Sequence, residues 1–289
     1  MQIVMLNGGL GNQVFQYIFF RWLEVRSRER CMIDDSAFFG HDVMHGGYEL
    51  ERVFSVCPQR LSERFPADVW DMMIRKMNQG IPVCQQLLDA GMDLEMIYEP
   101  RSGEVKFSGQ RTDFRADIMP ISGLKDHYYF GYWIGTCWLR EIGGIIESEL
   151  RFPPLPAGYN EKIGQMICTS HNPVAIHIRR GDMVQLAGMT SEPEYYRQRI
   201  SWLERKGIDH YFLFSDDLDW CRAHAEVLGL SSISDRLTVV EGNQGQFAYV
   251  DMQLMSLCHH RLSDRSSFSL LAGILCRWPD KLEINRWQS

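Results

Sequence analysis

The residues best suited to chemistry lie in one short stretch, the sequence AIHIRRGDM at positions 175–183. It holds an imidazole at His177, guanidiniums at Arg179 and Arg180, and a carboxylate at Asp182. Two adjacent arginines suit an anionic ligand, because each planar guanidinium can pair with two phosphate oxygens at once. The alternative is a surface turn with solvated charges. The residue types thus favour a site for a phosphorylated ligand.

The element that must position these groups is a buried strand. Residues 174–178 form an apolar run next to turn residues, a pattern typical of a strand in a parallel sheet. Such a strand delivers the residues that follow it to the carboxyl edge of the sheet, where ligands bind in open α/β folds. The sequence therefore predicts an α/β fold with an anion site at one edge of a sheet.

The composition indicates a small ligand. The 289 residues are 45% hydrophobic and 23% charged, and the formal net charge is −7. A nucleic-acid-binding protein would normally carry a basic excess, so no nucleic acid is expected as a partner. The anion site must be a local feature, which fits a small phosphorylated molecule.

The cysteines and apolar segments bear on location. Eight cysteines are scattered without Cys-x-x-Cys pairs, so we expect neither a disulfide framework nor a zinc site. No stretch reaches the ~20 apolar residues of a membrane span, and the first residues do not resemble a signal peptide. We expect a cytoplasmic protein.

A second candidate ligand loop lies near the N-terminus. A strand, a glycine loop, a helix and a second strand are predicted in succession at residues 2–6, 7–13, 14–28 and 31–33. This order opens a Rossmann-like unit. Gly9 and Gly11 would let the backbone approach a ligand closely; a tight turn without a ligand is the alternative. Val14 stands where the dinucleotide fingerprint needs its third glycine, which disfavours an NAD-dependent oxidoreductase.

The best domain boundary is the segment FPPLPAG at 152–158, whose prolines end a helix and stiffen a connection. We place the two domains at 1–155 and 156–289. In the second domain, strands are predicted at 174–178, 211–214 and 237–240, and helices at 160–168, 194–206, 251–255 and 270–275. Two Rossmann-like halves with a ligand in the cleft between them fit a transferase that uses a nucleotide or a phosphate.

Aromatic residues in the first half have two interpretations. Residues 128–133 predict a strand, in which Tyr132 and Trp133 either pack in the core or stack on a sugar. Residues 113–119 carry mixed charge and predict a loop or the edge of a helix.

Polar clusters in the second half are also open to two interpretations. Asp216, Asp217 and Asp219 could bind Mg²⁺, or they could cap a helix over 220–227. Similarly, Ser266 and Ser267 could cap the helix that follows them or donate to a phosphate.

Three ordered motifs resemble one known family. They are GGLGNQ at 8–13 with FQY at 15–17, HIRRGD at 177–182 and SSFS at 266–269. Together they are similar to the bacterial α-1,2-fucosyltransferases of glycosyltransferase family 11. Shorter matches at 131–133, 194–196 and 214–217 extend the resemblance over nearly the whole chain.

The sequence departs from the family pattern at two places. The segment SDR at 263–265 stands where many members have a shorter, less charged lead into the serines, and leucines at 270–271 replace a pair that is often Trp-Trp. Neither change removes a donor group, so the departures concern acceptor fit and packing more than chemistry.

The resemblance implies a GT-B fold, with two Rossmann-like domains facing a central cleft. The N-terminal domain would lie on the acceptor side, and the C-terminal domain would bind GDP-fucose. The implied reaction is inverting transfer of fucose from GDP-β-L-fucose to the 2-hydroxyl of a terminal galactose in a glycan, forming an α-1,2-fucoside. No essential metal or other cofactor is expected. A role in glycan biosynthesis in the bacterial cytoplasm, with or without peripheral association to the inner membrane, follows from the same resemblance.

The resemblance also implies roles for particular residues. Arg179 and Arg180 would stabilise the charge that grows on GDP, because preorganised electrostatics usually dominate such catalysis. His177 and Asp251 would contact the guanosine end of the donor. Backbone N–H groups that would assist on the phosphates belong to Ser266, Ser267 and Phe268.

Other roles remain less defined. Asp182 is the nearest candidate general base, although it could instead pair with Arg180 or a backbone donor and hold the loop. Glu192 and Glu194 are reserve candidates for the base. Gly9, Gly11 and Gln13 would contact the donor from the first domain, and Asn12 and Gln13 would orient donor or acceptor.

Two further functions stay open: a nucleotide-sugar-binding protein without catalysis, and a fucosyltransferase of different linkage. The sequence gives neither the exact acceptor glycan nor the oligomeric state.

Overall fold

The computed structural model describes residues 1–27, 29–41, 46–100, 110–113, 125–185 and 190–286. Of the segment 113–119, for which we predicted a loop or a helix edge, only Asp113 lies inside the described residues, and it ends a strand. The chain divides into two units, Met1–Arg151 and Phe152–Ser289. This division lies slightly before the predicted one between residues 155 and 156.

The first unit contains a five-stranded sheet. Its strands are β1 (Gln2–Met5), β2 (Cys31–Asp34), β3 (Leu94–Tyr98), β4 (Gln110–Asp113) and β5 (Asp126–Phe130). Its helices are α1 (Leu10–Ser27), α2 (Leu50–Phe54), α3 (Ala67–Asn78), α4 (Val83–Asp89) and α5 (Leu139–Glu149). The strands run parallel in the order β2-β1-β5-β3-β4.

The second unit contains another parallel sheet of five strands. They are β6 (Pro173–Ile178), β7 (His210–Ser215), β8 (Leu237–Val239), β9 (His260–Ser263) and β10 (Glu283–Ile284). The helices are α6 (Tyr159–Thr169), α7 (Pro193–Leu203), α8 (Leu218–Ala223), α9 (Ala225–Leu228), α10 (Ala248–Leu257) and α11 (Ser267–Leu275). The order β10-β9-β6-β7-β8 is the order of the Rossmann fold, with β6 as its first strand. The predicted α/β class is confirmed.

Burial explains why β6 was visible in the sequence. Every residue of β6 is buried, because β7 and β9 flank it and the faces of a parallel sheet are covered by helices. Ile176 and Ile178 pack in a core with Leu213 of β7 and Leu262 of β9. The strand therefore holds the loop that follows it on a rigid base.

Each sheet has a point where its strand order reverses, and ligands bind outside the carboxyl ends of the strands at such points. In the first unit, the reversal lies between β1 and β5; in the second, it lies between β6 and β9. The predicted ligand segments follow β1, β6 and β9. No helix in the described ranges is both long enough and apolar enough to span a membrane.

Three predicted elements need correction. Helix α1 begins at Leu10 rather than Val14, so Gly11, Asn12 and Gln13 lie in its first turn and not in a loop. Strand β5 ends at Phe130, so residues 131–133 form a turn rather than the end of a strand. Strand β9 was not predicted at all.

Candidate active site

The two arginines after β6 are held by two carboxylates after β7. A nitrogen of the Arg179 guanidinium lies 2.7 Å from Asp216 Oδ2, and Asp216 Oδ1 accepts the Arg180 backbone N–H at 2.8 Å. Arg180 Nε donates to Asp217 Oδ2 at 3.2 Å. Because β6 and β7 are neighbours in the sheet, their carboxyl ends bring these four residues together. The result is a preorganised pair of guanidiniums, each held in place by a carboxylate that balances its formal charge.

Arg180 has a second support in Trp220 of α8. Its guanidinium carbon lies 3.6 Å from the centre of the Trp220 ring, a cation–π contact that favours one orientation of the planar group. Asp217 also caps α8, because its Oδ1 accepts the Trp220 backbone N–H at 3.1 Å. The capping interpretation of Asp217 is therefore confirmed.

A larger residue at position 181 would displace the Asp216 carboxylate that holds Arg179. A Cβ at this position would lie 2.6 Å from Asp216 Oδ2, too close for any real contact. The glycine thus lets the backbone pass directly over the carboxylate that holds Arg179.

His177 and the N-terminus of α11 lie on the other side of the same loop. The residue opposite His177 in the neighbouring strand is Ser263, so the segment after β9 meets the segment after β6. The Phe268 ring centroid lies 5.8 Å from that of His177. Ser266 caps α11, because its hydroxyl accepts the Ser269 backbone N–H at 3.4 Å. The predicted phosphate-side residues of both segments are therefore assembled at one edge.

The chemistry of His177 is that of a neutral imidazole. Burial, together with the nearby Arg179 charge, lowers the pKa of His177 to about 3. Its Nδ1 is buried and has no hydrogen-bond partner among the described residues. A neutral ring with an unused nitrogen can donate to or accept from a ligand according to its tautomer.

Asp251 belongs to a separate polar group at the start of α10. Asn243 Nδ2 donates to Asp251 Oδ1 at 2.7 Å and to Asn160 Oδ1 at 2.9 Å. Burial raises the pKa of Asp251 to about 7, against the effect of the Asn243 hydrogen bond. Tyr159, Glu241 and Gly242 complete the lining of an adjacent cavity of about 460 Å³ with the two asparagines. This group could bind a polar ring such as a base.

Sequence reasoning missed Asp264, the residue that directly follows β9. Its side chain is 2% exposed, and Oδ1 has no hydrogen-bond partner within the described parts of the chain. Burial raises the pKa of Asp264 to about 7. The hydrogen bond from the Tyr196 hydroxyl and the charge of Arg179 lower this pKa, whereas the charge of Asp216 raises it. The sequence showed an unusual charge just before the serines. Because strand β9 was not predicted, nothing indicated that Asp264 lies at the end of a strand.

Replacing Asp264 by asparagine is expected to stabilise the protein more at pH 8 than at pH 5. The pKa of this carboxyl is about 3.9 in the unfolded chain and about 7 in the folded protein. Its contribution to stability is therefore fully present below about pH 3.9 and is lost as the pH rises to about 7. The charged form then costs at most roughly 4 kcal/mol. Urea denaturation of both proteins at the two pH values measures the difference. Equal effects at pH 5 and pH 8 would contradict the assignment.

The glycine loop of the first unit is braced by two buried glutamines. Gln13 Nε2 donates to the carbonyl oxygens of Gly8 and Gly47 at 2.8 and 2.7 Å, and Gln13 Oε1 accepts the Glu49 N–H at 2.9 Å. Gln16 Nε2 donates to Asn7 Oδ1 and to the Gly131 carbonyl, and Gln16 Oε1 accepts the Asn7 N–H. Gln13 is 0% exposed. The structure therefore gives Gln13 a bracing role, and its contact with donor or acceptor stays a prediction.

The other predicted residues of the first unit lie around this brace. Gly9 directly precedes α1, and its carbonyl accepts the Gln13 N–H at 3.0 Å, whereas Gly11 is buried in the first turn of the helix. The Asn12 side chain lies against Gly8, where a Cβ would approach Asn12 Nδ2 to 2.7 Å. Substrate contacts by Gly9, Gly11 and Asn12 stay predictions.

The general base stays a prediction as well. Asp182 lies in a 3₁₀ turn, Gly181–Gln185, and its side chain is outside the described ones. Of the reserve candidates, Glu192 is exposed just before α7. Glu194 bonds Arg197 and Gln198, and the Arg197 hydrogen bond lowers its pKa, which makes it a weaker proton acceptor.

Residues 158–279 match the model of Glycosyl transferase family 11. The resemblance to family 11 is confirmed. The matched residues take in β6 to β9 and the two segments that meet at the strand reversal of the second unit.

Two curated relatives from Escherichia coli match nearly the whole chain. One is an alpha-1,2-colitosyltransferase, 26% identical over 92% of this chain and 84% of its own length. The other is the O-antigen biosynthesis glycosyltransferase WbnK, 24% identical over 97% of this chain and 92% of its own length. Together with the family 11 match, they support glycosyltransferase activity.

Two solved structures share the fold. The α-1,6-fucosyltransferase NodZ, co-crystallised with GDP, superposes with a TM-score of 0.51 and 12% identity over 95% of this chain and 92% of its own. Fucosyltransferase NodZ from Bradyrhizobium gives a TM-score of 0.50 and 13% identity over 94% and 91%. At this identity the likeness concerns the fold alone, and it agrees with the GT-B-like architecture.

Proposed function

We propose that the protein transfers fucose, with inversion, from GDP-β-L-fucose to the 2-hydroxyl of a terminal galactose in a glycan. The observation that carries the proposal is the site after β6, where Arg179 and Arg180 stand beside a neutral His177 and the N-terminus of α11. The family match, the α-1,2 linkage named for one relative and the GDP bound by NodZ support the same donor class and linkage.

The two arginines explain how the leaving group could depart. As the bond from the sugar to the β-phosphate breaks, negative charge grows on GDP. Arg179 and Arg180 are fixed positive groups at the sheet edge, so they stabilise this charge without first having to reorganise. The N-terminus of α11 adds to the effect, because helix N-termini favour anions.

The proposal includes catalysis without a metal ion. The carboxylates that sequence patterns offered as metal ligands are committed elsewhere: Asp216 and Asp217 hold the two arginines, and Asp219 pairs with Arg222 at 3.0 Å. A cation at this point would compete with guanidiniums for the same oxygens. The arginines then supply the positive charge.

Base recognition is assigned to His177 and to the group around Asp251. A carboxylate can accept both N–H donors of the guanine edge, whereas uracil presents one N–H flanked by carbonyls. Asn243 already holds one Asp251 oxygen at 2.7 Å, which fixes the carboxyl beside the cavity. This arrangement favours GDP over UDP.

The relatives favour one second candidate, α-1,2 transfer of colitose, because that activity is named for the 26% identical protein. A binding protein without catalysis is the other. The anion site would suit fucosyl transfer, colitosyl transfer and binding without catalysis equally well. Only an assay of the reaction distinguishes these three functions.

A donor and acceptor screen tests the proposal. Purified protein is incubated with GDP-fucose, a colitosyl donor, UDP-sugars and CMP-sugars, each with lactose and with no acceptor, in the presence and absence of EDTA. We expect α-1,2-fucosyl-lactose, identified by NMR, from GDP-fucose alone, with most activity retained in EDTA. Faster colitosyl transfer would replace the donor assignment, and binding without transfer or hydrolysis would leave only the binding protein. Loss of activity in EDTA that Mn²⁺ restores would refute metal independence.

A further inference from the structure

The turn after β5 has a strained backbone. Trp133 has φ = +56°, in the left-handed region that bulky residues avoid. Ser55 is the one other non-glycine residue with positive φ in the described part of the chain. Such a conformation persists only where the surroundings enforce it, and it is found most often at binding sites. The turn lies at the carboxyl edge, beside the strand reversal between β1 and β5.

Four contacts enforce this turn. Gln16 Nε2 donates to the Gly131 carbonyl at 3.0 Å, and Glu99 Oε2 accepts the Tyr132 N–H at 2.7 Å. The buried Trp133 ring stacks on Phe19 with centroids 3.9 Å apart, and its carbonyl accepts from Trp138 Nε1 at 3.2 Å. The turn is thus fixed from three places, which are α1, the residue that precedes α5 and the residue that follows β3.

The consequence is a single outward-facing aromatic ring. Tyr132 is 44% exposed, whereas Tyr128, Tyr129 and Trp133 are at most 2% exposed and Phe130 is partly buried against the core. A Cβ at position 131 would lie 2.4 Å from Glu99 Cβ, so only glycine allows the chain to turn here. Of the two aromatics offered by the sequence, Trp133 is core and Tyr132 is presented to solvent.

The charges at this edge favour a neutral ligand. The N-terminus of α1, where an anion would bind, is already occupied, because the buried Glu49 carboxylate accepts the Leu10 backbone N–H. The Glu99 carboxylate lies directly behind Tyr132. A phosphate at this turn would meet the Glu99 carboxylate, whereas a sugar hydroxyl would find an acceptor there.

We propose that Tyr132 is the platform on which the terminal galactose of the acceptor stacks, and that the strained turn exists to present its ring. This inference rests on the proposed function, which it deepens by assigning an acceptor contact. The C–H groups of one galactose face form an apolar surface that matches an aromatic ring, and the phenolic oxygen can reach a sugar hydroxyl. A rigidly held tyrosine loses little conformational freedom when the sugar binds.

Kinetics of two variants test the platform. Tyr132→Leu keeps the apolar character but removes the ring, and it should raise the acceptor KM about tenfold, equivalent to ~1.4 kcal/mol. The KM for GDP-fucose and the slow hydrolysis of donor without acceptor should change less than twofold. Tyr132→Phe should stay close to the wild type. Trp278→Leu is the matched control, because Trp278 is 42% exposed, close to the value for Tyr132. Trp278 stacks on His259, which lies at the amino end of β9 in the second unit, whereas ligands are expected at the carboxyl ends of the strands.

Saturation-transfer NMR with lactose, without any donor, gives an independent readout. We expect galactose C–H signals with wild type and Tyr132→Phe that disappear with Tyr132→Leu. Unchanged signals and unchanged acceptor KM in a folded Tyr132→Leu protein would overturn the platform. The NMR result does not depend on turnover, so a wild type that binds lactose but transfers no fucose would refute the proposed function and leave the platform standing.

Discussion

Replacing Arg180 by alanine is expected to lower kcat about 10²–10³-fold, the usual loss when one preorganised donor is removed from a developing charge. The KM for GDP-fucose should rise much less, because the contact with the β-phosphate strengthens as the bond to fucose breaks. Arg180→Lys should recover little, since an ammonium cannot form the two-pronged contact or stack on Trp220 in the same way. Steady-state kinetics with varied donor and saturating lactose provide both constants.

The contacts of Arg180 define a competing explanation. Its guanidinium binds Asp217 and lies over Trp220, so it could serve only to hold the loop after β6 on α8. Asp217→Asn separates the two roles, because asparagine still caps a helix but carries no charge to pair with Arg180. If Arg180 acts on the phosphate, Asp217→Asn should change kcat far less than Arg180→Ala does. An Arg180→Ala protein that melts several degrees lower but keeps near-normal kcat would remove Arg180 from catalysis.

Strands β6 and β9 show what the sequence could and could not predict about the fold. Strand β6 is an apolar run interrupted only by His177, so its local residue types indicate burial on both faces. Strand β9 contains His260 and Arg261, which read as surface residues. Arg261 is nevertheless 1% exposed, because it pairs with Glu283 of β10 and donates to the Cys258 carbonyl at 2.9 Å. A partner 22 residues away in sequence, as in this pair, leaves no local pattern.

The candidate site divides in the same way. Residue types alone indicated an anion site at Arg179 and Arg180, and the resemblance to family 11 added the serines and Asp251. The carboxylates that hold the arginines were not predicted as their partners, because that pairing depends on the alignment of β6 with β7. Asp264 was missed for the related reason that its strand was missed. The sequence thus offered candidate ligand groups but not the groups that position them.

Gln13 is the sharpest case, because it belongs to the motif that carries the resemblance and yet its side chain is fully used by the backbone. Gln13→Leu keeps similar volume but leaves the Gly8 and Gly47 carbonyls and the Glu49 N–H without this partner. Each unsatisfied buried group costs about 1–3 kcal/mol, less where water can reach it, so we expect a loss of roughly 3 kcal/mol in the free energy of unfolding. Urea denaturation measures it, with the two units allowed separate transitions.

Gln79→Leu is the matched control for this variant, since Gln79 is an exposed glutamine of the same unit and lies at the end of α3. Surface changes of this kind are usually within about 0.5 kcal/mol of neutral. The loop and the turn at Gly131 share their support through Gln13 and Gln16, so loss of the brace should also weaken acceptor binding in the fraction that stays folded. A Gln13→Leu protein could instead keep wild-type stability and show a large rise in the KM for one substrate. That result would show that Gln13 leaves its backbone partners to bind that substrate, as the motif alone had suggested.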